Sequence, residues 1–383
     1  MNTLLRLVCA TALTAAVAAT ASAADLKIGF ISSMSGPVSG LGIPYAKGIQ
    51  VALAQRPEIA GHKVQLIMLD DASDPTTAAR DARKLVAEDH VDVLIGTSGV
   101  PGAMAIAAVA RETKTPLISP TPVNLPSDDG GWVVTSSQPF PLMVSAVVDR
   151  MKRSGVKTVA YIGFSDALGD LAYDSLVKAA QPAGIKVVAN ERYARSDSSV
   201  AGQILRILGT HPDAVFAGNS GSPGALPYLA LAERGYKGQL YGTHGLINAD
   251  FVRVAGSSAN GLMVPSGPVM VAEQLPASNP VRSVAIEFRE AYKRKEGAYP
   301  VDAFAAYTYD AYLVFADAAA RAMKGAAPGT PAFRAALRDA IAATHELAGT
   351  QGVYNFRPNE AYGLDKRSAL VIRLEQGQWK LVP

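Results

Sequence analysis

The sequence predicts an α/β protein of two lobes, each a parallel sheet flanked by helices, and two observations support this. Short apolar runs alternate with amphipathic segments of helical period, and the alternation starts afresh after a proline-rich break, Gln138-Pro139-Phe140-Pro141. In the first unit, residues 26–31, 64–69, 91–95 and 116–119 read as buried strands because they are short, apolar and bounded by turn residues. A helix over 75–89 starts with Asp74 as N-cap and Pro75 at its first position, and puts Ala78, Ala82, Leu85 and Val86 on one face. An alanine-rich helix follows over about 101–113. Strands and helices in this order build a parallel sheet covered on both faces.

The second unit opens with a helix over 142–154 and continues with strands at 158–162, 185–188, 214–217 and 239–241, separated by helices near 168–183, 200–208 and 225–234. From Asn279 the pattern is helical through 291, 302–323 and 331–343, and it ends in strand-like runs at 352–356 and 369–374. Returning these helices to the first lobe covers its remaining face, which requires the chain to cross between lobes several times and so form a hinge. The expected division is 24–141 plus 270–350 for one lobe and 142–269 plus 351–383 for the other.

The first residues address the chain to export. One positive charge at Arg6, an apolar run over 7–19 and the small-residue motif Ala21-Ser22-Ala23 read as a signal peptide cleaved after residue 23, with the periplasm as destination. The only cysteine, Cys9, lies in that segment, so the mature chain is expected to rely on a large core without disulfides. With 49% hydrophobic and 18% charged residues the chain is globular rather than disordered. Its formal charge of +3 falls to +2 without Arg6, which gives no reason to expect nucleic acid.

In open parallel sheets, ligands sit in loops at the carboxyl ends of the strands. Four such loops are rich in small and hydroxyl residues: Gly96-Thr97-Ser98-Gly99-Val100-Pro101-Gly102, Ser119-Pro120-Thr121-Pro122-Val123-Asn124, Gly218-Asn219-Ser220-Gly221-Ser222-Pro223-Gly224 and Gly242-Thr243-His244-Gly245. The first leads into a helix whose opening N–H groups favour an anion. Any one of these loops also reads as an ordinary glycine turn, but four together favour a cleft. No metal or cofactor is expected: the five histidines show no ligand spacing, and Asp70, Asp71 and Asp74 offer too few oxygens for a hard cation. An enzyme is not expected either. The stretch Gly218-Asn219-Ser220-Gly221-Ser222 misses the nucleophile-elbow pattern at its fifth residue, and no glycine-rich loop closes with Gly-Lys-Ser/Thr.

The segments Leu26-Lys27-Ile28-Gly29-Phe30, Met34-Ser35-Gly36-Pro37-Val38, Asp70-Asp71-Ala72-Ser73-Asp74-Pro75 and Pro116-Leu117-Ile118-Ser119-Pro120 resemble the leucine/isoleucine/valine-binding receptors of ABC transporters. The resemblance runs over essentially the whole mature chain. It implies the type I periplasmic-binding-protein fold, with two lobes joined by three crossovers that close over a ligand, and an ABC-transporter permease as partner. It also implies a site walled by Leu41, Ser98, Gly99, Val100, Thr121, Val123, Leu168, Ser220, His244 and Phe304. Several of these depart from the amino-acid-binding pattern: His244 stands where a carboxylate would meet the ligand's ammonium, Val123 replaces a hydroxyl, and Leu41 and Leu168 replace aromatic walls.

A buried ammonium without a partner costs several kcal/mol, and a neutral imidazole is a poor counter-charge. The expected ligand is therefore a small carboxylic acid without an amino group, with an aromatic acid suited to the apolar walls. Its carboxylate would be held by the N–H groups around Val100 and by the Ser98 and Thr121 hydroxyls. The alternatives are an amino-acid receptor of the same family and a ligand sensor not coupled to transport. His244 also reads as a plain loop histidine, and Phe304 as core.

Overall fold

The computed structural model describes residues 24–123 and 130–382. The expected signal peptide, residues 1–23, and Asn124 of the second loop lie outside the described residues.

The first lobe begins with β1 (Leu26–Ser32), α1 (Ser39–Gln55), β2 (Glu58–Ile59), β3 (His62–Asp70) and α2 (Pro75–Ala87). It continues with β4 (Val93–Gly96), α3 (Val100–Thr113), β5 (Leu117–Ser119) and β6 (Val133–Thr135). Its sheet runs β2-β3-β1-β4-β5-β6, parallel except at the β2–β3 edge. α2 starts as the sequence predicts: the Thr77 N–H donates to Asp74 Oδ1 at 2.6 Å, with Pro75 in the first turn, where it has no N–H to lose.

α1 has no counterpart among the elements read from the sequence, because Gly40, Gly42, Pro44 and Gly48 break the helical pattern. Two of these glycines are there for packing. A Cβ on Gly42 would stand 1.9 Å from the Ser33 carbonyl oxygen, and one on Gly48 1.8 Å from that of Ala305. The helix thus trades propensity for close approach to its neighbours.

The second lobe contains α4 (Phe140–Arg153), β7 (Thr158–Phe164), α5 (Ala167–Ala183), β8 (Lys186–Tyr193), α6 (Ala201–Leu208) and β9 (Ala214–Gly218). It continues with α7 (Leu226–Glu233), β10 (Gln239–Gly242), α8 (Ala249–Ala255) and β11 (Met263–Ser266). α9 (Pro280–Glu296), α10 (Phe304–Ala322) and α11 (Pro331–Ala342) then pack in the first core, where Phe288, Phe315 and Leu337 are fully buried. β12 (Leu347–Ala348) and β13 (Val353–Tyr354) form a small hairpin, and β14 (Leu370–Glu375) and β15 (Gln378–Leu381) complete the second sheet, ordered β15-β14-β11-β10-β9-β7-β8. β11 escapes sequence reading because Pro265 sits inside it. The second sheet is not wholly parallel as expected, since β14 pairs antiparallel with both β11 and β15. Val353, Tyr354, Phe356 and Leu364, assigned from sequence to the second lobe, bury their side chains in the first core.

The chain passes between the two sheets after β6, after β11 and before β14. These passages are tied together by buried polar groups. Tyr307 Oη donates to Gln138 Oε1 at 2.9 Å, and Gln138 Nε2 donates to the Ser368 carbonyl at 2.9 Å. Asp310 on α10 accepts the N–H groups of Thr350 (2.8 Å) and Gln351 (3.0 Å), and the Tyr354 hydroxyl lies 2.8 Å from it. Burial pushes the Asp310 carboxyl up to about 6 despite these donors.

Candidate ligand-binding cleft

The carboxyl ends of the two sheets face each other, and between them lies a cavity to which loops of both lobes contribute. Of the ten residues singled out from sequence, the structure brings eight to its wall: Leu41, Ser98, Val100, Thr121, Leu168, Ser220, His244 and Phe304. Gly99 and Val123 do not reach it. Gly99 is the N-cap of α3, and Val123 turns into the first lobe's core, where its backbone N–H and C=O both meet the Tyr362 hydroxyl, at 3.0 and 2.6 Å. Sequence reasoning missed Tyr45, Pro122, Phe140, Thr243 and Gly245 at the wall. Tyr45 rides on the unforeseen α1, and Phe140 was read as part of the proline-rich break rather than as the start of α4. Pro122, Thr243 and Gly245 stand in loops already singled out, so the topology rule alone was enough to find them.

The first-lobe side is a network of hydroxyls. Ser98 Oγ accepts the Ser33 N–H at 3.1 Å and lies 2.8 Å from Ser32 Oγ, which donates its own proton to the Gly42 carbonyl at 2.9 Å. The Ser98 proton therefore points to Ser32. Thr121 Oγ1 donates to the Thr97 carbonyl at 2.5 Å, with the Tyr45 hydroxyl 3.4 Å away. Behind them the buried carboxylate of Asp71 accepts Ser33 Oγ (2.6 Å), Thr97 Oγ1 (2.5 Å) and the Ser73 N–H (2.9 Å), fixing both loops. The expected gift of both hydroxyl protons to a ligand thus meets resistance. Ser98 can turn away from Ser32 at little cost, whereas Thr121 would abandon a buried carbonyl. The first turn of α3, at Val100, opens on the cavity with N–H groups that have no acceptor within the helix.

The second-lobe side carries His244 in a short 3-10 turn after β10, where Thr243 Oγ1 accepts the Gly245 N–H at 3.2 Å. His244 is buried, and its Nδ1 has no hydrogen-bond partner. Its ring lies edge-on to Phe140 (centroids 5.7 Å apart) and to Tyr307 (6.3 Å). Burial lowers its pKa to about 4, so the imidazole is neutral at physiological pH. Asp302, just before Phe304, accepts the Phe304 N–H at 2.9 Å and is pushed up to about 7 by burial. It stands behind the wall and not in it.

A larger hollow of about 650 Å³ on the outer face of the first lobe, among Arg56, Glu58, Tyr309 and Lys324, is lined by none of the strand-end loops, so the smaller interlobe cavity is the better site. Among the described residues no cluster of three or more metal-ligating side chains occurs, and no helix is long and apolar enough to cross a membrane.

The profile of the family described as periplasmic binding protein matches residues 25–361. The chain belongs to that family. Its two lobes are those of the type I fold expected from sequence. An extracellular ligand-binding receptor from Rhodopseudomonas palustris HaA2 is 39% identical with a TM-score of 0.91, over 94% of this chain and 100% of that one. The Leu/Ile/Val-binding protein homolog 3 of Brucella melitensis biotype 1 is 26% identical over 299 residues, 75% of this chain and 78% of the relative. A solute-binding protein of an ABC transporter from R. palustris, solved in complex with benzoate, superposes with a TM-score of 0.76 over 94% of this chain and 95% of that one. At 22% identity this likeness speaks for the fold alone.

Proposed function

We propose that this periplasmic binding protein is the receptor of an ABC importer and captures a small carboxylic acid that lacks an amino group, with an aromatic body the best fit. One observation carries the reading: among the described residues no Asp or Glu lines the interlobe cavity, and the second lobe contributes a neutral histidine to its wall. An α-ammonium buried there would have no counter-charge, at a cost of several kcal/mol. A carboxylate has the α3 N-terminus, and the apolar faces of Leu41, Leu168, Phe140 and Phe304 suit a ring. The fold is compatible with such a ligand, since the R. palustris solute-binding protein carries benzoate.

Capture works by lobe closure. The free space between the lobes is about 30 Å³, far below the roughly 300 Å³ at which small-molecule pockets begin. Ligand therefore enters with the lobes apart and is enclosed as they swing together about the three crossovers, and the altered outer surface is what a permease reads.

A second reading, an amino-acid receptor, rests on Thr121. Its proton is committed to Thr97, which leaves lone pairs suited to a donor such as an ammonium, and curated relatives are named for leucine, isoleucine and valine. A thermal-shift screen of the mature protein against amino acids and against aromatic and aliphatic acids tests the choice, because a ligand that binds only the folded state raises Tm. Shifts with des-amino acids support the first reading, and shifts confined to amino acids reject it.

A further inference from the structure

Resting on the carboxylic-acid reading above, we propose that Arg195 and Ser220, with His244, form a distal subsite that recognises a neutral hydroxyl on the far end of the ligand. Arg195 follows β8, at the carboxyl end of the second sheet. Its Nε donates to Asp166 Oδ2 at 2.6 Å, and its guanidinium lies over the Phe164 ring, 4.1 Å from the centroid. Its Nη1 donates to Ser220 Oγ at 3.3 Å, while Nη2 is buried without a partner.

The proton bookkeeping follows from donor chemistry. A guanidinium only donates, so Ser220 Oγ accepts from Arg195 and keeps its own hydrogen. That hydrogen has no acceptor among the described residues, and Ser220 lines the cavity. A donor already accepting from a cation is a stronger donor, because successive hydrogen bonds polarise one another. The His244 loop packs against the Ser220 loop, and both side chains line the same cavity: a Cβ on Gly245 would be 2.6 Å from the Ser220 Cβ, and the Gly221 N–H donates to the Gly245 carbonyl at 3.0 Å. The unpartnered imidazole supplies an acceptor nitrogen. One donor and one acceptor in the wall of one cavity match a hydroxyl, which accepts from Ser220 and donates to His244. A second carboxylate does not match. The Arg195 charge is already paired with Asp166 and His244 is neutral, so this wall offers no net charge to offset another anion.

Calorimetric titration with benzoate, para-hydroxybenzoate and terephthalate, and with the phenylpropenoates with and without a para-hydroxyl, tests this. In the unmodified protein the hydroxyl is expected to tighten binding by about tenfold, with terephthalate weaker than benzoate. Ser220→Ala should bring that gain to near unity, read as the ratio between the paired acids and not from the affinity of either alone. Arg195→Met should shrink the gain without abolishing it, and Ser220→Thr, which keeps the donor, should preserve it. The ratio between paired ligands separates a positioning role of Arg195 from plain destabilisation, which would weaken both acids alike. Equal affinity for the paired acids, or preference for terephthalate, overturns the subsite and leaves the carboxylic-acid reading standing. Failure of every acid in the panel overturns both.

Discussion

His244 and Tyr307 stand edge to face, ring centroids 6.3 Å apart, although one is carried by the second lobe and the other by α10 of the first. Tyr307 also donates its hydroxyl to Gln138 at the first crossover. One side chain thus touches both His244 of the cavity wall and Gln138 of the hinge, and its contact with His244 joins the two lobes.

Removing that ring should favour the open form. Tyr307→Ala forfeits an aromatic pair of about 0.5–1.5 kcal/mol beyond its buried area, so small-angle scattering should report a larger radius of gyration and the best ligand should bind more weakly. Tyr307→Phe keeps the ring and strands Gln138 Oε1, so its effect should appear in Tm more than in compaction.

The buried ionisable groups give stability a signed pH dependence. His244 falls from 6.5 to about 4 on folding, so the unfolded chain takes the proton first. Its contribution therefore turns unfavourable as pH drops from 6.5 and levels off below about 4. Asp302 has the opposite sign. Its carboxyl rises from 3.8 to about 7, so its contribution is fully present below 3.8 and is lost as pH rises through about 7. His244→Leu should flatten the acid side of a Tm-against-pH curve, and Asp302→Asn should flatten the fall between the two carboxyl values. A curve unchanged by both substitutions would contradict the burial assigned to them.

Thr121 is expected to act as a brace. Thr121→Val leaves the Thr97 carbonyl without its donor and should cost about 1–3 kcal/mol of stability, measured by denaturant unfolding, while Thr121→Ser should cost less. If Val at this position leaves stability unchanged and weakens only ligand binding, the Thr121 hydroxyl serves the ligand instead.

Gly48→Ala should drive a Cβ into the Ala305 carbonyl and push α1 away from α10, at about 1–3 kcal/mol or more. Calorimetric unfolding checks this, with Gly325→Ala, where nothing lies within 4 Å of an added Cβ and φ is not left-handed, as the comparison for simple loss of a glycine.

What the sequence made legible follows from these same residues. The loops at Ser98, Thr121, Ser220 and His244 were found because parallel strands place their carboxyl-end loops together, a rule that needs only strand order. α1 was hidden because Gly42 and Gly48 answer to contacts with Ser33 and Ala305, which are distant information at those positions. β11 was hidden by Pro265, tolerated because the pairing with β10 is confined to Met263 and Pro265 is matched only with Val371 of β14. Val123 turned inward because Tyr362, 239 residues away, fastens its backbone. Proton directions were beyond sequence altogether: nothing in the residue names says that Thr121 donates to Thr97 or that Arg195 reaches Ser220.

The most direct test of the account is a side-by-side calorimetric titration of the mature protein with 3-phenylpropanoate and L-phenylalanine, which share a body and differ in the ammonium. The account predicts binding of the des-amino acid and none of phenylalanine, because among the described residues no carboxylate lines the cavity. Tight binding of phenylalanine, or of leucine in its place, with none of the des-amino acid would contradict it and return the cleft to amino acids.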